Sequence, residues 1–253
     1  MAVNLQKANM WKRIAAWILD IILTAVLAVG FGMILSAVLD YDGYNAKLQA
    51  CYERYETQYG VVFDISQEEY DTKTEEEKTL YDEAYLALIS DDQVLHAYNM
   101  TVSLSLIITT FAILLGVLAM EFVVPLCLKN GQTVGKKAFG LGTVRYDGVR
   151  INTLQLFVRA LLGKYTIETM IPVYIILMFH WNTMGMTGTV VLLGLAAAQL
   201  LCLGITKDNS AIHDKLAGTV VVDLASQKVF GSTEELVEYT KRIHAECAKH
   251  EDY

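Results

Sequence analysis

Four long apolar runs, 14–39, 100–128, 166–181 and 188–205, dominate this chain of 253 residues. A spanning helix needs about 20 mostly apolar residues, because the hydrocarbon core of a bilayer is about 30 Å thick. The first run holds a single charge, Asp20, and the second a single charge, Glu121. The third is shorter and carries Glu168; it can borrow length from 154–162 by including Arg159 and Lys164. The fourth has no charge. The pattern predicts an all-α polytopic membrane protein with four transmembrane helices, an extracytoplasmic helical insertion and a small cytoplasmic β-hairpin or sheet. The first run is too long for a signal-peptide core and no small-x-small cleavage site follows it, so it reads as an uncleaved first helix.

Composition narrows the class. Hydrophobic residues make up 54% and charged ones 19%, against both disorder and an ordinary soluble enzyme. Two prolines and four cysteines exclude a Pro-rich linker and a disulfide scaffold. The net charge of −8 leaves no footprint for nucleic acid. No metal-ligand spacing and no nucleophile–base pair stands out, so the expectation is a non-enzyme without cofactor or metal.

The basic residues set the expected orientation. Lys7, Lys12 and Arg13 precede the first run, seven Lys or Arg lie in 129–165, and six more follow residue 206. Segment 40–98 instead carries a net charge of −11. Both termini and 129–165 are expected in the cytoplasm of a cell-membrane protein, with 40–98 outside. The expected organisation is therefore 1–39, N-terminus and first span; 40–98, acidic helical cap; 99–128, second span; 129–165, cytoplasmic hairpin and amphipathic helix; 166–205, third and fourth spans; and 206–253, strand and charged helical tail.

Within the cap, Leu48, Tyr52, Tyr55 and Tyr59 recur near helical spacing. Ser66-x-x-Glu69 and Thr74-x-x-Glu77 resemble capping boxes, and Ser90-x-x-Gln93 reads as a helix start. On the inner side, 141–146, Asp147-Gly148 and 149–152 read as a β-hairpin, with 219–223 as a third strand. Asn152 or Thr153 can cap a helix bearing Leu154, Phe157, Val158 and Leu161.

Charges inside a membrane are expensive, about 2.5–3.5 kcal/mol for an acid at a helix centre on insertion scales. Asp20 lies seven residues beyond Arg13, about 10 Å deeper on the same face, and Glu121 lies seven residues before Leu128. Two carboxylates at one depth can share a proton or a monovalent cation, with Arg13 as the positive partner. Asp20, Glu121 and Arg13 are thus the candidate ion- and proton-binding residues. A structural network of the same three residues is the competing reading. Neither Gly131, Gly135, Gly140 and Gly142 nor the lysines beside them match a phosphate loop. A lone His213-Asp214 step lacks the other ligands a metal site requires.

Three blocks resemble the RDD family of integral membrane proteins. The first runs from Arg13 to Asp20. The second is Glu121 followed by Gly131-Gln132-Thr133-Val134-Gly135-Lys136, then Leu141 to Asp147-Gly148, with Arg159 downstream. The third is His213-Asp214 and its continuation through Gly218-Thr219. Some members of that family are associated with exchange of monovalent cations for protons, and RDD domains also occur in scaffold-like membrane proteins. The resemblance therefore implies either a secondary transporter, with the bilayer, a cation and protons as partners, or an adaptor that binds another membrane protein. A homodimer would give the small transporter enough helices for a closed path. Segment 40–98 departs from the family's short first loop.

Overall fold

The computed structural model describes residues 8–128, 131–172 and 211–251, with isolated helical positions at 190, 193, 194 and 197. The chain divides into two units, Gly30–Ala112 and a unit formed by Met1–Val29 with Ile113–Tyr253. The division falls within two long helices, α1 (Met10–Val38) and α5 (Asp92–Leu118).

In the unit 30–112, α2 (Tyr41–Tyr59), α3 (Gln67–Thr72) and α4 (Glu75–Ser90) form the insertion. Both expected capping boxes are present, Ser66 with Glu69 and Thr74 with Glu77. The start of α5 differs from expectation. Ser90 closes α4 with its hydroxyl on the Leu86 carbonyl, while Asp91 accepts from the Gln93 N–H at 2.8 Å. A carboxylate that also takes Arg54 (2.5 Å) and Tyr55 (3.0 Å) is the better cap here. Leu48 and Leu88 pack with Val94 and Ala97, and Tyr52, Tyr55 and Phe63 close over them. This small apolar core explains why an acidic segment is helical instead of disordered.

In the other unit, α5 widens into a π-helical segment, Ala119–Val123, and then resumes as α6 (Val124–Leu128). After it come α7 (Val134–Ala138), β1 (Leu141–Arg145) and α8 (Thr153–Val158). A second π-helical segment covers Arg159–Glu168. The C-terminal part holds α9 (Ile212–Ala217), β2 (Thr219–Asp223) and α10 (Thr233–Glu251).

The strand pairing corrects the expected hairpin. β1 pairs antiparallel with β2, Leu141 opposite Asp223 and Arg145 opposite Thr219. The Asp147-Gly148 turn forms, its Gly148 N–H on the Arg145 carbonyl at 3.0 Å. Its return arm is short: it bridges β1 at Val144–Arg150 and the Phe230 segment at Val149–Phe230, and Asn152 then caps α8 through its box with Gln155. The strand expected third is therefore the principal partner, and among the described residues the sheet has two strands.

Two helical stretches, Met10–Val38 and Asp92–Leu128, are long and apolar enough to cross a membrane, each with mean hydropathy 2.5. On α1, Trp17, Ile18, Ile22, Val26, Val29, Met33 and Ile34 are exposed, and Ala16 and Asp20 are buried. Exposing such side chains to water forgoes about 1.5–3 kcal/mol apiece, a loss that lipid removes. Apart from positions 190, 193, 194 and 197, the expected fourth span, 188–205, lies outside the described residues, as does the third span beyond residue 172.

Candidate functional site: a buried ionic cluster

The site is built where α1, the π-helical segments, α7 and α9 bring charged side chains out of water. Asp20, Glu121, Lys136, Arg159, His213 and Asp214 are all buried. A buried charge persists only where partners replace its hydration, so each contact here needs to be accounted for.

Asp20 is held by neutral donors. Thr133 Oγ1 donates to its Oδ2 at 2.5 Å and the Gly135 N–H to its Oδ1 at 2.7 Å. Thr133 is also the N-cap of α7, accepting from the Lys136 N–H at 3.3 Å. A Cβ on Gly135 would lie 2.8 Å from Asp20 Oδ1 and would overlap the Ala16 carbonyl oxygen. Only glycine lets α7 approach α1 this closely.

Glu121 sits in the first π-helical segment and takes two cations, one on each oxygen. Arg159 Nη1 is 3.0 Å from Oε2 and Lys164 Nζ is 2.8 Å from Oε1. Arg159 and Lys164 are five residues apart. On an α-helix, at about 100° per residue, they would diverge by about 140°. The i→i+5 register of the second π-helical segment, seen in the Thr169 N–H on the Lys164 carbonyl at 3.2 Å, puts both on one face.

Arg159 is the hub. Its Nε donates to Asp214 Oδ1 at 3.0 Å and its Nη2 lies 2.9 Å from His213 Nε2. Guanidinium only donates, so Nε2 accepts, and His213 Nδ1–H is left to donate to Glu168, with which it is hydrogen bonded. Arg13 reaches the other oxygen of Asp214 at 3.3 Å. A Cβ on Gly163 would overlap the His213 side chain, so the second π-helical segment and α9 meet at that glycine.

Lys136 is held differently. Its Nζ donates to Thr143 Oγ1 of β1 at 3.1 Å. Among the described residues, no carboxylate lies within ion-pair distance of it. Burial, and after it the charge of Arg159, pushes its pKa down to about 7.

This arrangement differs from the expected pairing. Asp20 and Glu121 take different partners: Asp20 accepts from the start of α7, while Glu121 turns to Arg159 and Lys164. Among the described residues Arg13 pairs with Asp214. The sequence motifs do converge. Gln132 donates to the Leu141 carbonyl at 2.7 Å, and Gly131 packs against Thr143. Thr219 Oγ1 donates to the Asp214 carbonyl at 3.2 Å, and Gly218 caps α9. Asp147 and Gly148 remain at the turn, where Asp147 pairs with Arg145 at 2.8 Å. Three members were not singled out from sequence: Lys164, Glu168 as a partner of His213, and Thr143. The signal available was the Lys164–Glu168 spacing, which a π register turns inward.

A family model, RDD, matches residues 7–218, most of the chain. The chain belongs to the RDD family. Comparison with curated proteins and with solved structures gives no match. As an RDD-family membrane protein, it gathers Asp20, the Thr133–Lys136 stretch, Arg159 and His213-Asp214 from its three blocks into one buried cluster.

Proposed function

We propose that this RDD protein exchanges a monovalent cation for protons through the cluster around Glu121, Arg159 and Asp214. In this reading it has four spans in the cell membrane, both termini in the cytoplasm and 40–98 outside. The observation that supports the proposal is the double engagement of Glu121, within a candidate spanning stretch, by Arg159 and Lys164. Intramembrane ionisable groups mark ion and proton paths by default. Lys164 is the outer of the two, its side chain 12% exposed against 1% for Arg159. A small cation can take its place on Oε1 while Arg159 keeps Oε2. Asp20, with both oxygens occupied by neutral donors, fastens α7 to α1 and is not the cation ligand. The test is proton flux in proteoliposomes with an entrapped pH dye and pulses of Na⁺, K⁺ or Li⁺. Cation-driven flux supports exchange; its absence in folded protein removes it.

A second reading has its own observation. In the insertion, Tyr85, Leu86 and Ile89 of α4 are exposed large apolar residues, and Val62 is exposed in the preceding loop. Such surfaces can serve as protein contacts. A membrane adaptor would retain a partner in mild detergent, and replacing Leu86 and Ile89 by Ser would release it.

A further inference from the structure

Within the cluster, Arg13, Lys136, Arg159 and Lys164 stand against Asp20, Glu121, Glu168 and Asp214, four cations against four carboxylates, around the His213 ring, which touches Arg159, Glu168 and Asp214. Three of those cations pair directly with a carboxylate. Lys136 does not; its ammonium rests on a neutral hydroxyl. The charged groups acting on it are Arg159 and Lys164 of the second π-helical segment, Glu121 of the first and Asp214 of α9. On its own helix, Gly135 N–H and Thr133 are committed to Asp20 of α1.

We infer that Lys136 is the group from which the cluster releases its proton, and that one monovalent cation replaces that proton's charge, giving an exchange of one for one. The inference rests on the proposed exchange activity and names the proton site within it. The proton leaves Nζ for water and the nitrogen keeps its electron pair. The neutral amine still donates to Thr143 Oγ1, so the local hydrogen bond survives in both states. The cluster then carries a net −1, which one cation at Glu121 restores to zero. When Nζ is reprotonated, the restored positive charge disfavours that cation. The competition is electrostatic, through a shared cluster, and needs no shared ligand atom. The depression of Lys136 to about 7 places this event at physiological pH.

The experiment uses the full chain in detergent, in weak buffer at pH 7, with a pH indicator. NaCl, KCl or LiCl is added against choline chloride. Wild type should release up to about half a proton per chain at saturation, because a group with a pKa of about 7 is half protonated at pH 7. Lys136→Met should bind the cation without release. Lys136→Arg, which keeps the charge, should show neither. Release of equal size in both variants overturns the assignment. A second readout needs no cation. A lysine depressed on folding binds more protons when unfolded, so stability rises with pH above about 7 and stops rising near its unfolded value of about 10.4. Melting temperature should rise between pH 7 and 9 in wild type and rise less in Lys136→Arg. That difference without cation-linked release keeps Lys136 as the proton site and removes the exchange reading. Equal slopes without release overturn the assignment.

Discussion

Asp20 of the first helix accepts the backbone N–H of Gly135 at 2.7 Å, across 115 residues of chain. The contact joins two of the RDD blocks and assigns Asp20 a fastening role. Replacing Asp20 by Ala leaves Thr133 Oγ1 and the Gly135 N–H without their acceptor. Hydrogen bonds to charged groups are worth about 1.5–3 kcal/mol each. The expected loss is about 3 kcal/mol, read as a lower melting temperature and folded yield. Asp20→Asn keeps one acceptor oxygen and should lose less.

Gly135→Ala tests the same contact from the other side. The added methyl meets Ala16 and Asp20, and the Ala16 carbonyl is backbone that cannot swing away. Overpacking costs about 1–3 kcal/mol or more. Gly163→Ala, against His213, should behave alike. Thermal unfolding of both variants beside Gly140→Ala compares tight sites with one where a Cβ meets nothing within 4 Å but φ is +68°.

Arg159→Lys should be far from conservative. A guanidinium serves Glu121, Asp214 and His213 in three directions, and an ammonium cannot reproduce that planar fork. Leaving a buried carboxylate unpartnered costs about 3–5 kcal/mol. Loss of most folded protein in detergent is expected, measured by size-exclusion recovery.

The insertion should weaken at low pH. Hydrogen bonds from the Gln93 N–H to Asp91 and from the Thr74 N–H to Glu77 lower both pKa values. Carboxylates depressed on folding stabilise the fold above their unfolded pKa, about 4, and lose that contribution as pH falls through the folded value. Protease resistance of 40–98 in the full chain should fall below about pH 4. Thr74→Ala should cost about 1 kcal/mol and weaken resistance even at neutral pH.

Much of this organisation was legible in the chain. The capping boxes at Ser66 and Thr74 depend on neighbours three residues away, and so they could be read locally. The apolar runs announced α1 and α5 because length and hydropathy alone decide what spans a bilayer. The partners of Asp20 and Arg13 were not legible, because Gly135 and Asp214 lie 115 and 201 residues along the chain, and those of Glu121 were not because α-helical periodicity was assumed where the backbone is π-helical. That register turns Lys164 onto Glu121 beside Arg159. The hairpin is shorter than expected for a related reason: Asp147-Gly148 specifies the turn, while the choice of β2 as the main partner depends on residues more than 70 positions away.

The most direct measurement compares the two membrane carboxylates one at a time. Cation-driven proton flux is recorded in proteoliposomes for wild type, Glu121→Gln and Asp20→Asn, each normalised to folded protein. Exchange at the ionic cluster predicts flux in wild type, none in Glu121→Gln, and near wild-type specific flux in Asp20→Asn despite its lower yield. Flux that survives in Glu121→Gln, or disappears only in Asp20→Asn, would contradict it.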